Sequence, residues 1–253
     1  MKRIKNMNRK LEICAGTWQS ACAAAQAGAH RIELCSALAD GGITPSIGLI
    51  KQALTLKDRL KVHVLIRPRG GDFVYTPEEV DLMAEDIRTA VRLGVDGVVI
   101  GALTPQGEVD IPACQALVQA AQGVQNITFH RAFDMCRDAR QALEQIVDLG
   151  CNRILTSGLA PTALQGIPML QSLVQQAAGR LVIMPGCGVG VGNARRILDE
   201  TGATEIHASA RSAVHSTMIY RNESINMGAA GQDEFTRLET DPLVVRQILE
   251  SLA

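Results

Sequence analysis

Two short segments of the sequence end in cysteine and are spelled almost alike. LEIC ends at Cys14 and RIELC ends at Cys35, and a glutamate precedes each cysteine by two positions, at Glu12 and Glu33. Side chains two positions apart on a strand share one face, so each segment would present a carboxylate and a thiol together. Two adjacent thiols suit a soft ion such as Cu(I). The alternative is two small packing residues, because the spacing is not that of a zinc finger.

Later apolar segments repeat this alternation with histidine, arginine and glutamate. The in-phase polar positions are His63, Arg67, Thr128, His130, Glu205, His207 and Ser209. A single histidine of this kind is usually a hydrogen-bonded core residue, and a buried glutamate often pairs with an arginine. Burying so many polar groups without partners is costly, so their accumulation indicates a functional pocket.

The loops that follow three of these segments carry groups suited to ligand binding. RPRGGDF offers Arg67 and Arg69 as anion-binding forks, with Asp72 beside them. Two glycines in that loop let the backbone approach a ligand closely. The alternative for this segment is a tight turn whose arginines face solvent.

The segment HRAFDM groups His130, Arg131 and Asp134 within five residues. Such a group suits proton transfer or the orientation of a ligand, and the alternative is a helix cap beside a core histidine. The motif RILTSG adds Ser157 as a further candidate.

A glycine run, PGCGVGVGN, precedes a predicted helix and includes Gly186 and Gly188. Backbone amides and a helix N-terminus would form an anion cradle there, beside Ser209 and Arg211 of ASARS. We therefore expect a ligand-binding role for these four residues and for His207.

The spacing of glycines and strands predicts the fold that positions these residues. Helical patterns end at Gly28, Gly94, Gly150 and Gly202, and a strand follows each. Eight strands are predicted near residues 11–14, 31–35, 61–67, 97–103, 127–131, 153–157, 181–186 and 205–209. Strands alternating with helices pair in parallel, and eight such units predict a single (β/α)8 barrel of the TIM type, with its site at the carboxyl ends of the strands. We place one domain over residues 1–253, with a C-terminal extension over 212–253.

Composition excludes several classes of function. The 253 residues carry 25 basic and 26 acidic side chains, so the protein has no overall positive electrostatic potential to attract nucleic acid. Aromatic residues make up only 3% of the chain, which leaves few side chains on which bases could stack. Nucleic acid is therefore not expected as a partner. The hydrophobic fraction of 47% fits a globular protein and no membrane partner is expected. All six lysines lie within the first 61 residues, so later strands lack the amine of Schiff-base aldolases. No Gly-Lys pair occurs, which excludes a Walker-type loop, and no nucleotide cofactor is expected.

The first ten residues, MKRIKNMNRK, carry five positive charges and are followed by LEIC instead of a long apolar segment. This pattern is not that of a secretory signal, and seven scattered cysteines do not form a disulfide framework. We expect a cytoplasmic protein with reduced thiols.

Several long motifs resemble the CutC copper homeostasis family. They are LEIC, RIELC with GGITPS, IRPRGGDF, TFHRAFDM, RILTSG, MPG with its glycine loop, MIYRN and NMG. The resemblance implies a (β/α)8 barrel in the cytoplasm, self-association as a dimer or higher oligomer, and copper handling with Cu(I) on Cys14 and Cys35. Cys187 departs from the family pattern, which has glycine or alanine there.

Two functions remain open at this point. The first is Cu(I) binding in copper homeostasis. The second is a barrel enzyme acting on a small anionic or phosphorylated metabolite, with or without a divalent metal. In that enzyme His130 transfers a proton, and Glu33 or Glu205 orients His130 or acts as the base.

Overall fold

The computed structural model describes residues 9–222, 224–225 and 233–253. The basic residues 1–8 and the NMG motif at 226–228, both singled out in the sequence, lie outside these ranges. Eight parallel strands form a barrel: β1 (Lys10–Ala15), β2 (Arg31–Leu34), β3 (Lys61–Leu65), β4 (Gly97–Ile100), β5 (Asn126–Phe129), β6 (Arg153–Thr156), β7 (Val182–Pro185) and β8 (Glu205–Ala208). All eight predicted strands are confirmed, each within a few residues of its expected bounds.

The strands follow one another around the barrel in chain order from β1 to β7, and β8 lies beside β1. The β1–β2 register places Glu33 opposite Cys14, and the β1–β8 register places His207 opposite Glu12. Parallel registers of this kind bring residues from neighbouring strands to the same height in the barrel. The first two strands and the last one therefore share one side of the interior.

In the described part of the chain, seven helices alternate with the strands, and an eighth follows near the C-terminus. They are α1 (Trp18–Ala27), α2 (Ile47–Ala53), α3 (Pro77–Leu93), α4 (Ile111–Ala120), α5 (Ala139–Asp148), α6 (Ile167–Ala177), α7 (Ala194–Thr201) and α8 (Pro242–Leu252). The longest, α3, begins at a capping box between Thr76 and Glu79 and ends at Gly94, whose φ of 85° is the left-handed conformation expected of a terminal glycine. Among the described residues, no helix is both long and apolar enough to cross a membrane.

Side chains alternate along each strand between the layer that packs against the helices and the inside of the barrel. Leu11 and Ile13 of β1, like Ile32 and Leu34 of β2, are fully buried in an aliphatic layer between strands and helices. The positions between them point into the barrel and include Glu12 and Cys14, so the polar side chains occupy the inside of the barrel. The functional groups are thus held on a rigid ring of strands.

The described residues of the C-terminal extension include a hairpin and a helix. Strands β9 (Arg211–His215) and β10 (Thr236–Thr240) pair antiparallel, a hairpin that the sequence analysis missed. Helix α8 begins after the capping residue Asp241 and packs against α1 and α7, with Val245 and Ile248 fully buried. This helix covers the outside of the barrel next to β1 and β8.

Candidate metal centre and adjoining cavity

Strands β1 and β2 bring Cys14 and Cys35 together at their carboxyl ends. The backbone N–H of Cys35 donates to the carbonyl of Ala15 at 3.0 Å, which holds the end of β2 against β1. The two Sγ atoms lie 3.6 Å apart, and both thiols are buried. The hydrogen bond with Cys35 and burial hold the pKa of the Cys14 thiol well above its usual value. The two thiols therefore lie together inside the barrel.

His207 reaches the same position from β8. Its Nδ1 lies 2.8 Å from Oε1 of Glu12, and its Nε2 lies 3.8 Å from Oε2 of Glu33. Burial lowers the pKa of His207, but the contacts with Cys14, Glu12 and Glu33 outweigh burial and raise it well above the usual value. The imidazole is therefore a cation at neutral pH and donates its Nδ1 hydrogen to Glu12.

Cys14, Glu33 and His207 form a cluster with the geometry of a metal site. One donor atom from each lies within 4.8 Å of the other two. Cys35 adds a second sulfur 3.6 Å from that of Cys14. Glu12 stands behind His207, as carboxylates do behind metal-ligating histidines, where they fix the orientation of the ring. This set of donors can hold one transition-metal ion.

A cavity of about 220 Å³ opens beside this cluster at the carboxyl ends of the strands. At roughly 30 Å³ per water molecule, it has room for about seven waters or one small metabolite. Its wall is formed by Cys14, Glu33, Gly41, Leu65, Arg67, Phe73, His130, Arg131, Leu155 and His207. The thiol–imidazole cluster and the cavity are thus two parts of one site.

His130 lies on the cavity wall with one ring nitrogen committed and the other free. Its Nδ1 accepts a hydrogen bond from the backbone N–H of Ala132 at 3.1 Å, so a neutral ring carries its hydrogen on Nε2. Among the described residues, Nε2 is buried and has no partner. Burial and the nearby charge of Arg67 lower the pKa of His130 to about 3. The ring is therefore a fixed neutral donor, which does not suit the predicted role of a proton-transferring residue near neutral pH.

Arg67 is buried on the same wall, but its two terminal nitrogens do not form the open fork that the sequence predicts. They donate to the carbonyls of Asp40 at 2.8 Å, Gly42 at 2.9 Å and Gly71 at 2.7 Å. These contacts tie the loops after β2 and β3 together. Among the described residues no carboxylate pairs with Arg67, and its Nε has no partner.

Arg131 borders the cavity where it opens to solvent. Its Nε donates to Asp134 at 2.7 Å, and 44% of its side chain is exposed. Asp134 also accepts hydrogen bonds from the hydroxyl of Thr156 and the backbone N–H of Ser157. Asp134 and Ser157 therefore position Arg131 and the loop after β6, and neither lies on the cavity wall.

Arg69 and Asp72 lie outside the cavity, contrary to the expected anion-binding role. Arg69 donates to Glu79 at 2.6 Å and to Asp72 at 3.2 Å, and its guanidinium stacks over the ring of Tyr75. Its charge is already neutralised by two carboxylates. These contacts fasten the loop after β3 to the start of α3.

Glu205 lies at the opposite end of the barrel from the cavity, which removes it as a candidate base. It accepts hydrogen bonds from Arg31 at 2.6 Å and from Arg153 at 2.7 Å. Arg31 also pairs with Glu12, and all four side chains are buried. Burial raises the pKa of Glu205, but the two arginines outweigh burial and the pKa lies below its usual value. Glu205 is a structural anion in a buried ion network.

The glycine loop has a steric role at Gly186 and an internal one at Gly188. A Cβ on Gly186 would lie 2.5 Å from Cδ1 of Leu155 and 3.3 Å from Cβ of His207. The Gly188 carbonyl accepts from the side chain of Asn193, whose oxygen accepts from the N–H of Gly190. Polar groups of the loop thus hydrogen-bond to one another, so they contribute less to the anion cradle that the sequence predicts.

The remaining loop candidates also lie away from the cavity wall. Ser209 is half-buried after β8, and Arg211 is exposed on β9, where it pairs with Thr240. Cys187 has a φ of 83° and directs its Sγ to the carbonyl of Pro161 at 3.3 Å. The structure therefore does not bring Cys187 into the cluster of Cys14.

Sequence reasoning missed Arg31 and Arg153, the cations of the ion network. Arg31 is in phase with Glu33 on β2, so the rule that singled out the glutamate could have found it. It also missed Phe73, whose ring centroid lies 5.0 Å from that of His130. Phe73 lies in a loop, where alternation gives no signal.

The fold and the site together define a (β/α)8 barrel with a thiol–imidazole–carboxylate centre at the carboxyl ends of its strands. Residues 9–212 match the sequence model of the CutC family. The chain belongs to the CutC family.

Relatives at high identity cover most of the chain. A CutC family protein of Bacteroides thetaiotaomicron is 52% identical over 229 residues, covering 90% of this chain and 92% of the relative. The copper homeostasis protein CutC homolog of Mus musculus is 46% identical over 239 residues, covering 94% and 87%. The crystal structure of a CutC protein from Streptococcus agalactiae superposes with a TM-score of 0.76 at 38% identity, and the match covers 79% of this chain and 98% of that one.

Proposed function

We propose that this protein binds Cu(I) through Cys14 and Cys35 and acts in copper homeostasis. The observation that carries the proposal is the 3.6 Å separation of the two Sγ atoms. An ion about 2.3 Å from each sulfur would subtend an S–metal–S angle of roughly 100°, which is close to tetrahedral and needs little movement of either side chain. Two thiolates are soft ligands and favour Cu(I) over hard divalent cations.

His207 is the third ligand in this proposal. Its Nδ1 is taken by Glu12, which leaves Nε2 on the side of Cys14 and Glu33. Copper binding displaces the protons of the two thiols and of Nε2, because thiolate and neutral imidazole are the ligating forms. The two thiolates already exceed the single charge of Cu(I), so Glu33, which lies beside Cys14 and His207, is not needed as a counter-charge.

The proposed location is the cytoplasm, where reducing conditions preserve thiols. Cys14 and Cys35 are free in the structure and close enough to act as a pair. The proposed function requires both to stay reduced until copper arrives.

We also propose that the chain self-associates through the segment that follows β9. Met218, Ile219 and Tyr220 are 55%, 98% and 71% exposed. Three consecutive exposed apolar side chains are typical of a contact surface. Sedimentation velocity of Ile219→Asp should show a smaller species than wild type, whereas Leu82→Asp, at an exposed leucine on α3, should not. Equal sedimentation of all three proteins would contradict this assignment.

Anaerobic titration with Cu(I) against a competing chelator of known affinity tests the copper proposal. We expect one Cu(I) per chain in the wild type and a loss of at least 100-fold in affinity for Cys14→Ser and for Cys35→Ser. Cys22→Ser, which changes a half-buried thiol on α1, is the matched control and should bind as wild type. Wild-type affinity for Cu(I) in the Cys14→Ser/Cys35→Ser double variant would show that these two cysteines are not the ligands.

A further inference from the structure

The wall of the cavity carries a positive charge without a carboxylate partner among the described residues. Arg67 is 6% exposed, its terminal nitrogens donate to three neutral backbone carbonyls, and the hydroxyl of Tyr75 interacts with its guanidinium. A buried guanidinium without a carboxylate is costly, because water can no longer solvate its charge. Within the described part of the chain, the other buried arginines of the barrel, Arg31 and Arg153, both have glutamate partners.

Two unused hydrogen-bond donors accompany this charge. Nε2 of His130 and Nε of Arg67 are buried without partners among the described residues, and both side chains line the cavity. The guanidinium of Arg67 stacks over Phe73, and the Phe73 ring packs at 5.0 Å from His130, so the three groups form one fixed unit. Gly101 makes room for this unit, because a Cβ there would lie 2.6 Å from Cε1 of His130.

The rest of the cavity limits the size and shape of a ligand. Arg131 adds a second cationic group at the opening, held by Asp134. Leu65, Phe73 and Leu155 supply apolar wall. A volume of about 220 Å³ accommodates a molecule of a few to about ten heavy atoms.

We propose that this cavity binds a small organic carboxylate. One carboxylate oxygen accepts the Nε2 hydrogen of His130, and the anion supplies the missing counter-charge for Arg67. Arg131, which keeps Asp134 as its partner, adds a cationic edge at the opening. The carbon skeleton packs against Leu65, Phe73 and Leu155. Because His130 stays neutral, it offers a hydrogen-bond donor at every physiological pH, and the site does not require copper.

Calorimetric titration of metal-free protein with sodium acetate and sodium lactate, at ionic strength held constant with sodium chloride, tests this proposal. We expect saturable binding in the millimolar range or tighter, at least tenfold stronger than that of acetamide, which has the same shape without the charge. In protein labelled with ¹⁵N-histidine, the Nε2–H resonance of His130 should move with the same saturation curve.

Variants separate the cavity from general charge effects. Arg131→Gln should weaken acetate binding at least fivefold, and His130→Phe, which keeps a ring without the donor, at least tenfold. Arg137→Gln, at an exposed arginine paired with Glu108, is the matched control and should leave the affinity unchanged. Circular dichroism confirms that each variant is folded.

The proposal would be overturned if acetate and acetamide bound with equal affinity, or if the His130 Nε2–H resonance did not move. Wild-type affinity for acetate in both cavity variants would also overturn it. The copper titration is scored separately by Cys14 and Cys35, so the failure of one proposal does not affect the other.

Discussion

Glu12 contacts both His207, a member of the Cys14–Glu33–His207 cluster, and Arg31, a member of the buried ion network. One carboxylate oxygen of Glu12 lies 2.8 Å from Nδ1 of His207, and the other pairs with Arg31. Burial raises the pKa of Glu12, but Arg31 and His207 outweigh burial and hold it well below its usual value. Glu12 is therefore an anion at neutral pH and fixes the orientation of the imidazole.

This contact predicts a loss of metal affinity when the charge of Glu12 is removed. Glu12→Gln should weaken Cu(I) binding by 10- to 100-fold, because carboxylates behind ligating histidines contribute about that much. Competition titration measures the effect. Glu108→Gln, an exposed glutamate far from the cluster, should bind as wild type. Unchanged affinity in Glu12→Gln would show that His207 is not a ligand.

The ion network predicts a large stability cost for the loss of Glu205. Glu205→Gln removes the carboxylate shared by Arg31 and Arg153, and breaking a buried ion pair from one side costs about 3 kcal/mol or more. Urea unfolding at neutral pH measures the difference. Glu144→Gln breaks an exposed pair with Arg180 and should change the midpoint little. Similar effects of the two variants would contradict a structural role for Glu205.

Gly186 and Gly190 offer a matched pair for the steric role of the glycine loop. Gly186→Ala should destabilise the protein by about 1–3 kcal/mol, because the added methyl group overlaps Leu155 and crowds His207. Gly190→Ala has no atom within 4 Å of the added carbon and should be close to neutral. Urea midpoints compare the two, and an equal shift would mean that backbone freedom, not space, explains Gly186.

Two buried histidines predict that the protein loses stability in mild acid. Burial lowers the pKa of His63 and of His130 to about 3, from the ordinary value of 6.5. In the unfolded chain these two histidines are therefore protonated near pH 6.5, whereas in the folded chain they stay neutral. Stability falls as the pH drops below 6.5, by up to about 1.4 kcal/mol per pH unit for each histidine.

Unfolding free energies at pH 7, 6 and 5 measure this slope. His130→Phe should reduce it by up to half, whereas His215→Gln, on the exposed β9, should leave it unchanged. An identical slope in His130→Phe would show that His130 takes no part in the acid response.

The placement of inward polar residues could be predicted from alternation alone. The period of two placed Glu12 with Cys14 and Glu33 with Cys35 on inward faces, and strand order put them side by side. The role of Arg67 could not be predicted in this way. Its partners are carbonyls of loops as many as 27 residues away in the chain, and their positions depend on loop conformations that have no sequence period. Glu205 was misassigned for a related reason: alternation gives the face of a side chain but not its height along the barrel axis.

The network of Glu12, Arg31, Arg153 and Glu205 also determines the route by which anything can reach the site. These four buried side chains fill the barrel beneath the cavity, between it and the amino ends of the strands. Among the described residues, the barrel interior is therefore open at the carboxyl ends of the strands and closed at their amino ends. Under either proposal, a bound Cu(I) ion or carboxylate leaves by the opening through which it entered. In the proposed copper role, a donor and a recipient protein would dock at this same opening and could not do so at the same time.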